Sequence, residues 1–176
     1  MLDPYACLLG TTVTGLWRLA AVSDDGTIPL PGELVLETDR GFVSLSYTQD
    51  GLSCTGPVER DDVRWATESW LAMGRHPDAE EWLDLVEVED GPALPLFVTA
   101  FTGWFADGPY QTPVGLTLFP DGDTFALILS GDGDPVVLMT TEQFDLVCTD
   151  HATARARAER TAAAMRVRLI ERELRL

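Results

Sequence analysis

The chain of 176 residues carries 29 acidic and 12 basic residues, and its formal net charge at pH 7 is −17. Hydrophobic residues make up 45% of it, which is enough to fold one domain around one core and excludes a wholly disordered protein. No apolar run approaches about 18 residues, so we predict no membrane-spanning helix. The first residues lack a basic run followed by an apolar stretch, so we expect no secretory signal and a cytoplasmic location.

All 12 basic residues are Arg, and the chain contains neither Lys nor Asn. This bias is typical of a bacterium with a high-GC genome, whose codons disfavour both residues. The absence of Lys excludes a complete P-loop and a Schiff-base mechanism. No glycine-rich dinucleotide motif follows a predicted strand. We therefore predict that the protein uses no cofactor.

The charge is distributed unevenly along the chain. Residues 1–150 contain five Arg and 26 acidic residues, a balance of −21, whereas residues 151–176 contain seven Arg and three Glu, a balance of +4. A negative field of this size repels nucleic acids and anionic membranes and favours cationic partners. Solubility alone is the simpler explanation of the same acidity.

The hydrophobic pattern predicts one acidic α+β domain over residues 1–176, built mainly on an antiparallel β-sheet of hairpins. Its predicted parts are a strand-rich region at 5–56, a short helical insert at 60–86, a second strand-rich region at 94–148, and a long C-terminal helix at 150–175 packed on the sheet. Residues 42–48 alternate between apolar and polar side chains, which indicates a half-buried strand. Turn sequences on both sides of it predict a three-stranded meander over residues 33–55.

The insert at 60–86 is predicted to hold two short helices. Asp61 and Asp62 place negative charge at the start of the first helix, and Gly74 ends it. Pro77 suits the first position of the second helix, which is predicted to carry Trp82, Leu83 and Val86.

From residue 94 onward, short apolar runs alternate with turn sequences. We predict strands at Leu96–Phe105, Val114–Phe119, Thr124–Leu129 and Pro135–Thr140. Asp-Gly-Asp sequences at 121–123 and 132–134 separate the later strands. Such sequences resemble pieces of a calcium loop, but the twelfth residue counted from Asp132 is Gln143 rather than Glu. We therefore predict hairpin turns and no metal site.

The segment 150–175 has no Gly or Pro and is rich in Ala, Arg, Glu and Leu, which favour a helix. Asp150 is predicted to cap its N-terminus. Two apolar stripes, through Leu169 and through Ile170, form a wide face that favours packing on the sheet of a monomer. Pairing of this face with a second copy, as a homodimer, is the alternative.

Few residues are candidates for catalysis. His76 and His151 lie near no other candidate ligand at helical or hairpin spacing, so we predict that both are structural or surface residues. Cys7, Cys54 and Cys148 are three widely spaced thiols, which fits a reducing compartment better than a disulfide framework or a zinc site. A Cys–His pair is formally possible, but no motif marks it. We predict no catalytic residues.

The stretch Phe101–Tyr110 groups aromatic residues with Gly, Asp and Pro at the end of a predicted strand. Aromatic residues in such loops often anchor interfaces, although core packing of Trp104 and Phe105 is the alternative. With the two acidic turns, this stretch supplies the candidate partner-binding residues: Trp104, Phe105, Asp107, Tyr110, Asp121, Asp123, Asp132 and Asp134.

We therefore expect a non-catalytic protein that binds a basic protein partner. An immunity or inhibitor protein that occludes a bacterial toxin or effector fits this profile best, by analogy of charge and size rather than of motif. We expect no binding to nucleic acid or membrane. The alternatives are a secretion-chaperone-like or homo-oligomeric module and a small hydrolase with two catalytic carboxylates, which the sequence does not single out among 29 acidic residues.

Overall fold

The computed structural model describes residues 3–29, 33–48, 51–63, 83–89, 91–107, 113–120, 127–131, 144–148 and 150–176. These residues form a mostly antiparallel β-sheet of eleven strands and an α-helix near the C-terminus. The strands are β1 (Thr12–Ser23), β2 (Gly26–Pro29), β3 (Glu33–Thr38), β4 (Gly41–Thr48), β5 (Gly51–Val58), β6 (Leu83–Glu87), β7 (Leu96–Ala106), β8 (Pro113–Pro120), β9 (Leu127–Gly131), β10 (Phe144–Cys148) and β11 (Leu169–Arg175). The helix is α1 (His151–Ala164), and short 3₁₀ helices span Asp3–Leu8 and Arg60–Asp62.

The sheet has the strand order β10-β9-β8-β7-β1-β3-β4-β5. Strand β11 pairs with β7, and both β2 and β6 pair with β1. The predicted meander over residues 33–55 is confirmed, because β3, β4 and β5 form successive antiparallel pairs. Gly41 begins β4 with a φ of 120°, and a Cβ there would lie 2.8 Å from the Val58 carbonyl oxygen. The turn before β4 therefore needs glycine at this position.

One hydrophobic core joins the two halves of the sheet. Alternate residues of β3 and β4 pack in a single cluster with residues of β7 and β8. Tyr5 and Leu8 of the N-terminal 3₁₀ helix complete it, and the Tyr5 hydroxyl donates a hydrogen bond of 2.5 Å to the Leu52 carbonyl oxygen. The sheet therefore curls so that one face of each half turns inward.

Helix α1 covers the opposite face of the half that contains β7 and β8. Its buried residues, Ala154, Ala158, Thr161 and Ala162, recur at the spacing of one helical face. Two of them, Ala154 and Ala158, form a second hydrophobic cluster with Trp104, Ala106 and Val114. The small alanine side chains allow a close approach of the helix to the sheet.

The predicted helix at 150–175 is wrong in its second half. Helix α1 ends at Ala164, and residues 169–175 form strand β11, which pairs with Ala100–Ala106 of β7. The helix ends because Arg166 takes a φ of 55°, and the amide of Val167 donates to the carbonyl of Ala162. That bond pattern is a helix-ending Schellman motif, which usually places Gly where Arg166 stands. The pairing with β7 then holds the following residues in extended backbone.

The predicted helical insert at 60–86 is not found in the described residues. Arg60–Asp62 form a 3₁₀ turn, and Leu83–Glu87 form strand β6 rather than part of a second helix. Leu83 pairs with Ala21, and the strand continues antiparallel to β1 as far as Glu87. Residues 64–82, which hold most of the predicted insert, lie outside the described residues.

The predicted strand at Thr124–Leu129 corresponds to β9, which is described from Leu127 to Gly131. The predicted strand at Pro135–Thr140 lies outside the described residues. Strand β10, Phe144–Cys148, is an element for which we predicted no bounds, and it pairs with β9. In the part of the chain that the structure describes, no helix has the length and hydropathy required to cross a membrane.

Candidate functional site

The two aromatic residues proposed as partner anchors lie in the interior. Trp104 is 0% exposed and Phe105 is 3% exposed, and their side chains point to opposite faces of β7. Trp104 packs beneath helix α1, whereas Phe105 belongs to the core between the sheet halves. The expectation that they anchor a partner at the surface is therefore corrected, since both already fill protein cores.

Of the six remaining predicted partner-binding residues, the structure describes one. Asp107 is exposed directly after β7, and its backbone amide donates a 2.7 Å hydrogen bond to the Arg168 carbonyl oxygen. Five further candidates lie outside the described residues: Tyr110, Asp121, Asp123, Asp132 and Asp134. Of the eight residues, Asp107 is the one that the structure places at the surface.

A different acidic surface is formed around the second half of β1. Strands β2 and β6 pair with opposite edges of this half and make a three-stranded extension, which we call the acidic arm (residues 17–29 and 83–89). Ala21 is paired with both Ile28 and Leu83, so these three side chains share one face of the arm. Its base is built into the protein body, because Ala20 is 0% and Leu83 is 6% exposed.

The tip of the arm projects from the body. All residues from Ser23 to Ile28 are exposed, and a Cβ on Gly26 would meet no atom within 4 Å. A turn at 23–26 closes the tip, with Ser23 paired to Gly26 and Asp24 and Asp25 between them. Ile28 is 67% exposed, so a large apolar side chain lies in the same hairpin as Asp24 and Asp25.

The electrostatic character of the arm is strongly negative. It contains five carboxylates, those of Asp24, Asp25, Asp84, Glu87 and Glu89, and all five residues are exposed. Its single cationic residue is Arg18, which is half-buried. The arm is therefore a locally anionic surface with one apolar residue at its outer end.

The positive charge of the C-terminal region lies on other elements. Arg155, Arg157 and Arg160 are carried by α1, and Arg172 lies over the Phe105 ring with its guanidinium carbon 5.0 Å from the centroid. The acidic arm and the elements α1 and β11 therefore carry excess charge of opposite sign.

The structure describes one of the two histidines. His151 is the first residue of α1, and its ring lies between those of Trp104 and Phe119, with centroid distances of 5.1 and 5.2 Å. This position fits the predicted structural role. His76 lies outside the described residues. No group of three or more His, Cys, Asp or Glu side chains in the described part of the chain is arranged to hold a metal ion.

Sequence reasoning missed the arm as a site because its parts are far apart along the chain. Residue 84 reaches the arm only through the pairing of β6 with β1. The local signal for the tip was the Ser-Asp-Asp-Gly turn, but nothing in it indicated that Ile28 would be left exposed.

No family model matches the chain, and comparisons with curated proteins and with solved structures also give no match.

Proposed function

We propose that this protein is a non-catalytic inhibitor of the immunity type, which binds a basic bacterial toxin or effector domain through the acidic arm and occludes it. The observation that carries the proposal is the exposed Ile28 in an arm with five exposed carboxylates. Interfaces typically combine a desolvated apolar anchor with a charged, polar rim. The arm offers both elements within one small surface.

The charge of the arm supports a cationic partner. Exposed carboxylates complement Arg and Lys side chains, and the formal net charge of −17 extends the attraction beyond direct contact. Such complementarity accelerates association and discriminates against acidic proteins more than it raises the final affinity. A protein that must capture a basic toxin quickly would gain from this arrangement.

The backbone of the arm supports contact with an extended segment. Within the described residues, β2 and β6 each pair only with β1, so both present an outer edge. An outer edge carries unpaired amide and carbonyl groups, to which another chain can add a strand. The proposed complex therefore joins main-chain pairing at an edge with burial of Ile28 and neutralisation of the carboxylates.

The first experiment uses the full chain, immobilised, to capture proteins from the cytoplasm and secretions of the native host. The arm variants are the double substitution Asp24→Asn with Asp25→Asn and the single substitution Ile28→Ser. Asn preserves the turn because it favours such positions as Asp does. The matched control is Asp61→Asn with Asp62→Asn, which changes the net charge equally at two exposed residues outside the arm.

The expected result is a basic protein captured by the wild type and the control but lost from both arm variants. Its purified form should then lose its own activity when the wild-type chain is added. Its association rate should fall steeply as salt rises, because the attraction between exposed charges is screened beyond about 8 Å at physiological ionic strength. Equal capture by the arm variants, or an arm-dependent partner that is acidic, would refute the proposal.

A further inference from the structure

Two cysteines that are 47 positions apart in the sequence meet at the surface of the main core. Cys7 belongs to the N-terminal 3₁₀ helix and Cys54 to β5, and their Sγ atoms are 3.9 Å apart. Both residues are half-buried, and both pack against the core cluster that joins the sheet halves. At this distance the two sulfur atoms are in contact, and a small movement would allow a disulfide bond to form between them.

The surroundings hold this pair in place. Tyr5, two residues before Cys7, is anchored on β5 through its hydrogen bond to the carbonyl oxygen of Leu52, two residues before Cys54. The Cys7 thiol also donates a 3.4 Å hydrogen bond to the Pro4 carbonyl oxygen. The two backbones are thus tied together independently of any bond between the sulfurs.

The two thiols differ in acidity. The hydrogen bond from Cys54 and the positive charge of Arg40 lower the pKa of Cys7 to about 7, although partial burial opposes them. The hydrogen bond with Cys7 and deeper burial raise the pKa of the Cys54 thiol. Cys7 is therefore the more acidic thiol of the pair and the one that more readily forms the thiolate. A thiolate is the form that reacts with peroxides.

We propose that Cys7 and Cys54 are an oxidation site for hydroperoxides, at which a reversible disulfide forms and ties the N-terminal 3₁₀ helix to β5. With hydrogen peroxide as the oxidant, the Cys7 thiolate sulfur attacks one peroxide oxygen, the O–O bond breaks, and Cys7 becomes a sulfenic acid. The other oxygen leaves as hydroxide and takes a proton from solvent to become water. The Cys54 sulfur then attacks the Cys7 sulfur, the S–O bond breaks, and a second water leaves with the Cys54 proton. Two thiols lose two electrons in total, and one peroxide is reduced to two waters.

The half-exposed position of Cys7 suits the first step, and the proximity of Cys54 suits the second. Loss of the thiolate charge in the sulfenic acid also removes one cause of the raised pKa of Cys54. The sulfenic acid is consumed by Cys54 before a second peroxide can carry it to an irreversible acid. Thiol reductants restore the starting state by thiol–disulfide exchange.

The arginine positions make the test direct, because trypsin places each cysteine on a different peptide: residues 1–18, 41–60 and 76–155. The folded full chain is treated with hydrogen peroxide, alkylated without reductant, digested and analysed by mass spectrometry. We expect a cross-link between peptides 1–18 and 41–60 that disappears after reduction. The oxidised chain should also melt several degrees above the reduced chain, since a disulfide restricts the unfolded state.

Three variants separate the roles of the cysteines. Cys148→Ser should form the same cross-link at the wild-type rate. Cys54→Ser should accumulate a sulfenic acid on peptide 1–18 that dimedone labels, and Cys7→Ser should form neither product. If Cys7→Ser does not fold, the rate of alkylation on each wild-type peptide at several pH values still tests the site, because peptide 1–18 should react fastest near neutral pH. A dominant cross-link to peptide 76–155, or peroxide consumption without any cross-link, would overturn the proposal.

Discussion

The Trp104 indole Nε1 donates a hydrogen bond of 3.2 Å to the Glu171 carboxylate, and the two residues are direct cross-strand partners in β7 and β11. Trp104 is 0% exposed and has the largest of the fully buried side chains among the described residues. Arg155 of α1 approaches the same carboxylate at 3.8 Å. A single Glu thus connects the sheet, the last strand and the helix, and it provides the acceptor for an indole N–H that is shielded from water.

We expect Glu171→Ala to lower the free energy of unfolding by about 1–3 kcal/mol, because it leaves the buried Trp104 N–H without its acceptor. Glu171→Gln keeps a side-chain oxygen in that position and should recover most of the loss. Both values can be measured by urea denaturation. The control is Glu173→Ala on the same strand, whose ion pair with Arg175 is exposed and should contribute at most about 1 kcal/mol. Equal losses at positions 171 and 173 would contradict a specific role for the indole bond.

The start of the C-terminal helix could be predicted from the sequence, but its end could not. Asp150 is a capping residue by type, and its carboxylate does accept a hydrogen bond from the Thr153 amide. The residues of β11, from Leu169 to Arg175, have good helix propensity and also fit a strand. Their conformation is decided by pairing with β7, which lies almost 70 positions earlier in the chain, and by the Arg166 backbone, for which no Gly gives a local signal.

The hairpins around β4 could be predicted because their signals are local in the sequence. Around β4, the turn residues at 39–41 and the apolar alternation of 42–48 agree within a few positions, so local chemistry and tertiary pairing favour the same structure. The candidate sites depend on contacts between distant segments. Neither the approach of Cys7 to Cys54 nor the addition of β6 beside β1 is encoded by a local spacing, and the burial of Trp104 follows from the position of α1 above it.

The Asp150 cap should give the helix a pH-dependent stability. Hydrogen bonds from the Thr153 amide and hydroxyl hold the pKa of Asp150 below its ordinary value. The cap is therefore fully effective above the unfolded pKa of about 3.9, and its contribution is lost as the pH falls through the lower folded value. We expect Asp150→Ala to lower Tm at neutral pH and to remove this part of the acid dependence.

Asp150→Asn is the control for that prediction, because Asn caps a helix but does not titrate. Its Tm at neutral pH should remain close to that of the wild type. Thermal melts from pH 7 down to pH 3 measure both variants, and a wild-type acid dependence retained in full by Asp150→Asn would show that other groups cause it.

The protein should be more stable when Thr117 is replaced by Val. Its side chain is fully buried, and its Oγ1 has no hydrogen-bond partner within the described residues. Replacing the hydroxyl by a methyl group of similar size removes an unsatisfied polar atom, so we expect Thr117→Val to raise the free energy of unfolding by about 1 kcal/mol. Urea denaturation at neutral pH measures the change.

The same substitution at Thr11 is expected to have the opposite sign. Thr11 is also buried, but its Oγ1 donates a 2.7 Å hydrogen bond to the Leu8 carbonyl oxygen. Thr11→Val should cost about 0.5–1.5 kcal/mol, the usual net value of such a bond. If both variants are destabilised alike, the environment of Thr117 must contain an interaction that its buried hydroxyl needs.

The end of α1 offers the sharpest test of the helix-to-strand transition. Arg166 takes a φ of 55°, a left-handed conformation that costs a residue with a Cβ about 1 kcal/mol or more and costs Gly almost nothing. We expect Arg166→Gly to raise the free energy of unfolding by about 0.5–1 kcal/mol at moderate salt, where loss of the cation near the helix end matters least. Arg166→Val should lower it by more than 1 kcal/mol, because a β-branched residue strongly disfavours this backbone.

Arg168→Gly is the matched control. Arg168 does not have a left-handed backbone conformation, so Gly there should only add disorder to the unfolded chain and destabilise the protein by about 0.5–1 kcal/mol. Urea denaturation of the three variants gives opposite signs at positions 166 and 168 if the chain turns at Arg166. If residues 150–175 instead formed one continuous helix, Gly at either position would destabilise it by a similar amount.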